Sequence, residues 1–146
     1  MQLTLNGISH RYGGMPVLSD ISLDIPAGEI VCIVGPSGCG KSTALKLIGG
    51  LEDPSGGDVY IGEQRVTDFE SRDRDIAMVF QSYALYPHLS VRGNMTRALK
   101  QEMQPTSEIE GRVAKASRML NLEPYLDRYP SELSGGQRQR VAIGRA

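Results

Sequence analysis

Cysteine is scarce in this sequence: Cys32 and Cys39 are the only two in 146 residues. Two thiols with no His pair at ligand spacing exclude a disulfide framework and a zinc site, and they point to a reducing compartment such as the cytosol. Long hydrophobic runs are missing as well; none approaches the roughly 20 residues that span a bilayer. The opening residues Met1-Gln2-Leu3-Thr4-Leu5-Asn6-Gly7 contain no basic stretch followed by an apolar one, so no signal peptide is expected. Neither sign of charge dominates. Sixteen Lys and Arg face seventeen Asp and Glu, for a net charge of -1. That balance argues against a nucleic-acid binder held by bulk charge. What is present, 40% apolar and 23% charged residues, suits a soluble globular chain long enough for one domain with a real core.

The hydrophobic pattern changes character along the chain. Residues 2–8 and 17–25 alternate, with Leu3 and Leu5, then Leu18, Ile21, Leu23 and Ile25, which is the period of half-buried strands. Arg11-Tyr12-Gly13-Gly14 predicts the turn between them, and Pro26-Ala27-Gly28 a second. Ile30-Val31-Cys32-Ile33-Val34 is a continuous apolar run, expected as a strand buried on both faces of a parallel sheet. Thr43–Ile48 carries Leu45 and Ile48 at helical spacing, stopped by Gly49-Gly50. A loop over 51–57, a short strand Val59-Tyr60-Ile61 and a charged, exposed stretch over 68–75 follow. Ile76–Phe80 predicts a second buried strand ending at Gln81. Residues 82–90 are irregular and aromatic. From Ser90 the texture is helical. Ser107 and Glu110 have capping-box spacing ahead of the face Ile109, Val113, Ala116 and Leu120, and Ser134-Gly135-Gly136-Gln137 has the same spacing ahead of a last helix. The division expected is 1–81, a β subdomain with an α/β core, and 82–146, mainly helical.

Gly35, Gly40, Lys41 and Ser42 match G-x-x-x-x-G-K-[ST]. Glycines let backbone N–H groups turn inward around phosphate oxygens. The helix starting near Lys41 aims free N–H groups at an anion. Lys41 supplies a point charge for the β- and γ-phosphates, and Ser42 a hydroxyl for Mg²⁺. The loop Gly35-Pro36-Ser37-Gly38-Cys39-Gly40-Lys41-Ser42, with Thr43, is therefore a candidate site for a nucleoside triphosphate, above all Mg-ATP. Cys39 reads as a small space-filling residue, yet alkylating it is expected to block nucleotide. Leu133-Ser134-Gly135-Gly136-Gln137 is the second unusual feature. Two glycines weaken a helix by about 1 kcal/mol each relative to Ala. They make sense at a helix start if something must approach its backbone closely, and an anion is the natural candidate.

Taken together, these motifs resemble the nucleotide-binding subunit of ABC transporters, over essentially the whole chain and in the family's order. Gly35–Thr43 is similar to Walker A, Gln81 to the Q-loop, and Leu133–Gln137, continued by Arg138-Gln139-Arg140-Val141-Ala142-Ile143, to the signature motif. Arg74-Asp75-Ile76-Ala77-Met78-Val79-Phe80-Gln81-Ser82-Tyr83-Ala84-Leu85-Tyr86-Pro87-His88 narrows the likeness to bacterial importers of sugars and glycerol phosphate, the maltose-type group.

The resemblance implies a P-loop NTPase (RecA-like) α/β fold with an antiparallel β subdomain and a helical subdomain. It implies ATP and Mg²⁺ as cofactors, with Lys41 and Gln81 in catalysis and Ser42 and Gln81 at the metal. Tyr12 stands where the family stacks an aromatic on adenine; otherwise it is a plain turn tyrosine. Ser134, Gly135, Gly136 and Gln137 would meet the nucleotide of a second ATP-binding subunit. Residues 82–95 would dock transmembrane permease subunits, unless their aromatics serve packing between lobes. His88 reads as a surface residue. No nucleic acid is implied, and the place is the cytoplasmic face of the bacterial inner membrane, peripherally attached.

The likeness departs in two places. The family carries a Walker B strand ending in Asp-Glu, whose glutamate is the general base, and later a switch histidine. No apolar run ending in Asp-Glu occurs in this sequence, which stops inside the signature helix. Hydrolysis by these residues alone is not expected, and an uncovered sheet edge should make them unstable or aggregation-prone. Gly93 replaces an acidic residue, which weakens a helix start by about 0.5–1 kcal/mol. A subunit that binds and hydrolyses ATP for solute uptake therefore competes with a nucleotide-binding module that does not hydrolyse. A nucleotide kinase, a GTPase and a non-transport ABC ATPase are disfavoured by the signature motif and the 82–95 segment.

Overall fold

The computed structural model describes residues 1–101 and 103–146. They form two compact units, Met1–Ala77 and Met78–Ala146.

The first unit is a four-stranded sheet with one helix. Strands β1 (Leu3–Tyr12), β2 (Met15–Ile25), β3 (Gly56–Ile61) and β4 (Gln64–Arg65) lie in the order β2-β1-β3-β4, every pair antiparallel. The β1–β2 hairpin closes on Gly13 and Gly14, at φ 54° and 87°. Two consecutive left-handed residues are what a two-residue hairpin turn with the strands' own twist requires, and glycine adopts them without strain. Helix α1 (Lys41–Ile48) lies over the sheet. Leu5, Ile8, Leu18, Leu47, Val59 and Val66 form the core. Leu47 rather than Leu45 is the helix's buried leucine, and Leu45 is 49% exposed.

Arg74 ties this unit together and is only 2% exposed. Its guanidinium donates to four carbonyls: Leu47 at 2.7 Å, Ile48 at 2.9 Å, Thr67 at 2.9 Å and Phe69 at 3.0 Å. Two of these belong to the last turn of α1, where carbonyls have no helical partner and a cation suits the dipole. Burial pushes the guanidinium below the usual arginine value, and the charges of Asp53 and Asp68 offset part of that. The expectation that 68–75 is wholly exposed is therefore wrong at Arg74. A charged run shows polarity, but only packing shows which member can reach a row of unpaired carbonyls.

Two expected strands do not form. Residues 29–34 and 75–80 join no ladder, and Ile30, Val34 and Val79 are 96%, 87% and 42% exposed. Continuous apolarity marks a segment suited to burial on both faces, but a strand exists only where neighbours accept its N–H and C=O groups. Among the described residues no strand pairs with either segment, and no parallel pair is present.

The second unit packs α2 (Val91–Gln101), α3 (Thr106–Met119) and α4 (Gly135–Arg145) around Val91, Met95, Ile109, Val113, Leu122, Leu133 and Val141. Ile109 and Val113 face the core as predicted, with Ala116 and Leu120 against it. The Ser107–Glu110 capping box is absent. Pro105, which has fixed φ and no N–H, stands at the N-cap position, so α3 starts at Thr106, two residues earlier than that box implies, and Ser107 falls inside it. At α2, Gly93 N–H donates to the Ser90 hydroxyl at 3.2 Å, and glycine has no side chain to return the bond that an acidic residue there would make. Asn94, fully buried, fastens the irregular loop before α2: its amide accepts from Tyr86 N–H at 2.8 Å and donates to the carbonyls of Tyr86, Leu89 and Ser90.

Replacing Arg74 with Met keeps the stem but leaves the buried Thr67 carbonyl without a donor and the Leu47 carbonyl with only the Gly50 N–H at 3.3 Å. Arg74→Met should lower unfolding free energy by about 3 kcal/mol in urea titration. A change within experimental error would show that other donors replace the guanidinium.

Candidate nucleotide site

The phosphate loop lies where the chain enters α1. Gly40 precedes the helix at φ 91°, and a Cβ there would lie 2.7 Å from Leu18 Cδ2 and 3.2 Å from the Val17 carbonyl. The left-handed turn and the close approach of β2 together require glycine. The helical ladder begins with Ala44 N–H on the Gly40 carbonyl at 2.8 Å, and no side chain caps the start. The amides of the first turn therefore stand free, and with no acidic residue in that turn the helix end presents positive potential.

Lys41 lies folded back over the loop. Its ammonium donates to the carbonyls of Gly35 at 2.8 Å and Pro36 at 2.6 Å and sits 3.5 Å from Cys39 Sγ. To meet a phosphate it has to exchange these acceptors for anionic ones, which is favourable because charge-assisted bonds to an anion are the stronger. Ser42 and Cys39 are exposed, while Thr43 is buried and packs into the unit. Gly35 lies so near the thiol that a Cβ there would come 2.7 Å from Cys39 Sγ.

Tyr12, at the end of β1, is 46% exposed and held from behind. Its hydroxyl donates to Glu52 Oε2, and its ring makes a T-shaped contact with His10 at 4.7 Å between centroids, 81° between planes. Glu52 also accepts from Lys46 Nζ of α1 at 2.7 Å. Buried His10 places Nδ1 3.0 Å from the Asp53 carbonyl, which can only accept, so Nδ1 carries the proton. Its buried Nε2 has no hydrogen-bond partner and faces Glu52 at 3.6 Å. The hydrogen bonds from Lys46 and then Tyr12 hold the Glu52 carboxyl below its ordinary value. Sequence reasoning missed Glu52, His10 and Lys46. They fall on a strand, a helix and a loop, and no motif links them.

The second glycine motif opens α4 as predicted. Gln137 N–H donates to the Ser134 hydroxyl at 3.3 Å, and Ser134 N–H to Gln137 Oε1 at 2.8 Å. The ladder starts at Arg138 N–H on the Ser134 carbonyl at 2.9 Å, which leaves the Gly135 and Gly136 amides outside it. No atom lies within 4 Å of a Cβ placed on Gly136, so this helix end is open. Gln81 stands exposed in the turn before the Asn94-fastened loop. There Tyr86 lies under Arg97 at 4.5 Å and near Arg145 at 5.6 Å. His88 is exposed, as expected. Among the described residues no group of three or more His, Cys, Asp or Glu could hold a metal, and no helix is long and apolar enough to cross a membrane.

A family model described as ABC transporter matches residues 18–146. The chain belongs to that family. It is 60% identical over 145 residues to the sn-glycerol-3-phosphate import ATP-binding protein UgpC of Paracoccus denitrificans (strain Pd 1222), covering 99% of this chain and 41% of that protein. The UgpC of Brucella abortus (strain 2308) is 53% identical over 146 residues, with 99% and 42% covered. The chain thus spans about two fifths of the length of these relatives. Among solved structures, the dimeric bacterial ABC transporter cassette MJ0796 is 34% identical at a TM-score of 0.85, with 98% of this chain and 68% of that one covered. The ATP-binding subunit of another ABC transporter is 30% identical at 0.85, with 100% and 61% covered. The fold is therefore the P-loop ABC ATPase fold, here with an antiparallel β subdomain and a helical subdomain.

Because Glu52 is held below its ordinary value, its bonds stabilise the fold at pH above the unfolded carboxyl's value and are lost as pH falls through the lower folded one. The melting-temperature difference between wild type and Glu52→Gln should be constant above about pH 5 and shrink below it. A difference independent of pH down to about 3 would rule this out.

Proposed function

We propose that this chain is the nucleotide-binding part of an ATP-binding subunit of a bacterial ABC importer for sugar-type solutes, glycerol phosphate among them. The observation that carries this is the uncapped, glycine-entered start of α1 with Lys41 beside it. In this reading Gly35, Pro36, Ser37, Gly38, Cys39, Gly40 and Thr43 form the cradle, and the backbone N–H groups of all but Pro36, which has none, take the phosphate oxygens. Lys41 leaves the Gly35 and Pro36 carbonyls for the β- and γ-phosphates. The Tyr12 ring stacks on the adenine.

A hydroxyl is a neutral oxygen donor that suits Mg²⁺, an ion mostly ligated by phosphate and water. Ser42 would hold it. When bound, Mg²⁺ neutralises the charge between β- and γ-phosphates. Ser134, Gly135, Gly136 and Gln137, at the open start of α4, would meet the nucleotide carried by a second copy, as suits relatives of a dimeric cassette. Residues 82–95 would dock the permease subunits at the inner membrane's cytoplasmic face.

The chemistry divides by residue. Binding groups are present; a carboxylate base after an apolar strand is not among them. Hydrolysis and solute uptake are assigned to the whole protein, and nucleotide binding to these 146 residues. That makes the non-hydrolysing module the better description of the chain's own activity.

Calorimetry with Mg-ATP tests the assignment. Binding should fall at least about tenfold in Lys41→Ala, as loss of one charge-assisted contact implies. Complete alkylation of Cys39 should block it as well, because the thiol lies 3.5 Å from the Lys41 ammonium. Unchanged affinity in both would sink the phosphate-loop assignment, and turnover by the chain, lost in Lys41→Ala, would favour the enzyme over the module.

A further inference from the structure

Among the described residues, Glu52 alone hydrogen-bonds both the base platform and the helix carrying the phosphate loop. Its Oε2 receives the Tyr12 hydroxyl, at the tip of the β1–β2 hairpin. Its Oε1 receives Lys46 Nζ at 2.7 Å, from α1. The same helix begins at Lys41, so one carboxylate connects hairpin and phosphate-loop helix through two hydrogen bonds. His10 supports the arrangement from the other side. Its ring makes a T-shaped contact with Tyr12, and its Nδ1–H is committed to the Asp53 carbonyl, immediately after Glu52.

We propose that Glu52 is a positioning residue for nucleotide: it sets the orientation of the Tyr12 ring and its spacing from the phosphate loop, so that base and triphosphate are engaged together. This rests on the reading of Tyr12 as the base platform. A tyrosine whose hydroxyl is free swings about its Cα–Cβ bond, and the base must then order it on binding. A tyrosine pinned at the far end presents one face from the start, and the ordering cost falls before the ligand arrives. Glu52 meets no phosphate and no base itself; it acts through Tyr12 and through α1.

The role separates from mere folding because it acts on the base and not on the phosphates. Calorimetric titration of the full chain with Mg-ATP and with Mg-tripolyphosphate, which has the charge without the base, makes the distinction. Glu52→Ala should weaken ATP about fivefold, the equivalent of one hydrogen bond of about 1 kcal/mol, and leave tripolyphosphate unchanged. Tyr12→Phe, which keeps the ring and removes the anchor, should do the same, and the double variant should lose no more than either single one. Glu52→Gln, which still accepts a hydrogen bond, should retain most of the ATP affinity.

Equal loss for both ligands would assign Glu52 a structural role and overturn the proposal. So would losses that add in the double variant, or ATP affinity unchanged in Glu52→Ala. Should Glu52→Ala not fold, Tyr12→Phe alone decides, since an unchanged ATP affinity there also overturns the proposal. Wild-type protein that bound neither ligand would overturn the function reading and this inference with it, whereas wild type that binds both while Tyr12→Phe is silent overturns the inference alone.

Discussion

The helix that carries the phosphate loop is anchored at its far end by one buried guanidinium. Helix α1 has eight residues, too short to be stable by itself. Its C-terminal carbonyls at Leu47 and Ile48 are closed by Arg74, which also ties them to Thr67 and Phe69. Gly50 must be a glycine beside it, since a Cβ there would lie 2.5 Å from Arg74 Nε. With the far end of the helix satisfied and packed through Leu47, the near end can be left unsatisfied. The free amides ahead of Ala44 and the folded Lys41 are the result. Stability is concentrated at the C-terminus of α1 and functional incompleteness at its N-terminus.

The two candidate binding ends are built differently. At α1 no side chain caps the helix, and glycine at φ 91° turns the chain in. At α4 a full capping box between Ser134 and Gln137 fixes the entry, and the two glycines between them keep the backbone bare. In α4 the cap uses the Ser134 oxygen as acceptor, which leaves its O–H free to donate. The loop at α1 can surround an anion; α4 offers a capped, open end suited to approach from outside. In the proposed function the first cradles the phosphates and the second closes over them from another subunit.

Much of this is legible in the amino-acid pattern alone. The alternation at Leu3 and Leu5 and at Leu18, Leu23 and Ile25 locates the hairpin, Gly13-Gly14 its turn, and Ser134-x-x-Gln137 the start of α4, because each rests on interactions within a few residues. Where the outcome hinges on distant partners, local pattern is insufficient. Ile30–Val34 and Ile76–Phe80 have strand composition without a ladder. Ser107 has capping composition, but Pro105 takes the N-cap position and the helix starts at Thr106. The Arg74 contacts span up to 27 residues and the Tyr12–Glu52 bond spans 40, and no periodicity encodes either.

The two halves of the nucleotide site fall on opposite sides of that division. The phosphate motif is contiguous, so its chemistry is written in one stretch of eight residues and survives wherever a strand-like entry and a helix follow it. The base platform is not contiguous. Tyr12 alone is an exposed aromatic at a hairpin end. It becomes a defined surface only through a carboxylate that enters from beyond α1 and is itself held by Lys46. Lys46 is correspondingly raised above its ordinary value, first by its hydrogen bond to Glu52 and then by the charge of that group. The pair is partly exposed, so its worth to folding is small. A weak surface pair that spans two elements is nonetheless well suited to set a spacing, because geometry needs only that one arrangement be preferred over its neighbours. The specific part of nucleotide recognition would then reside in contacts that contribute little to stability, while the contacts that stabilise the unit, Arg74 above all, touch no ligand.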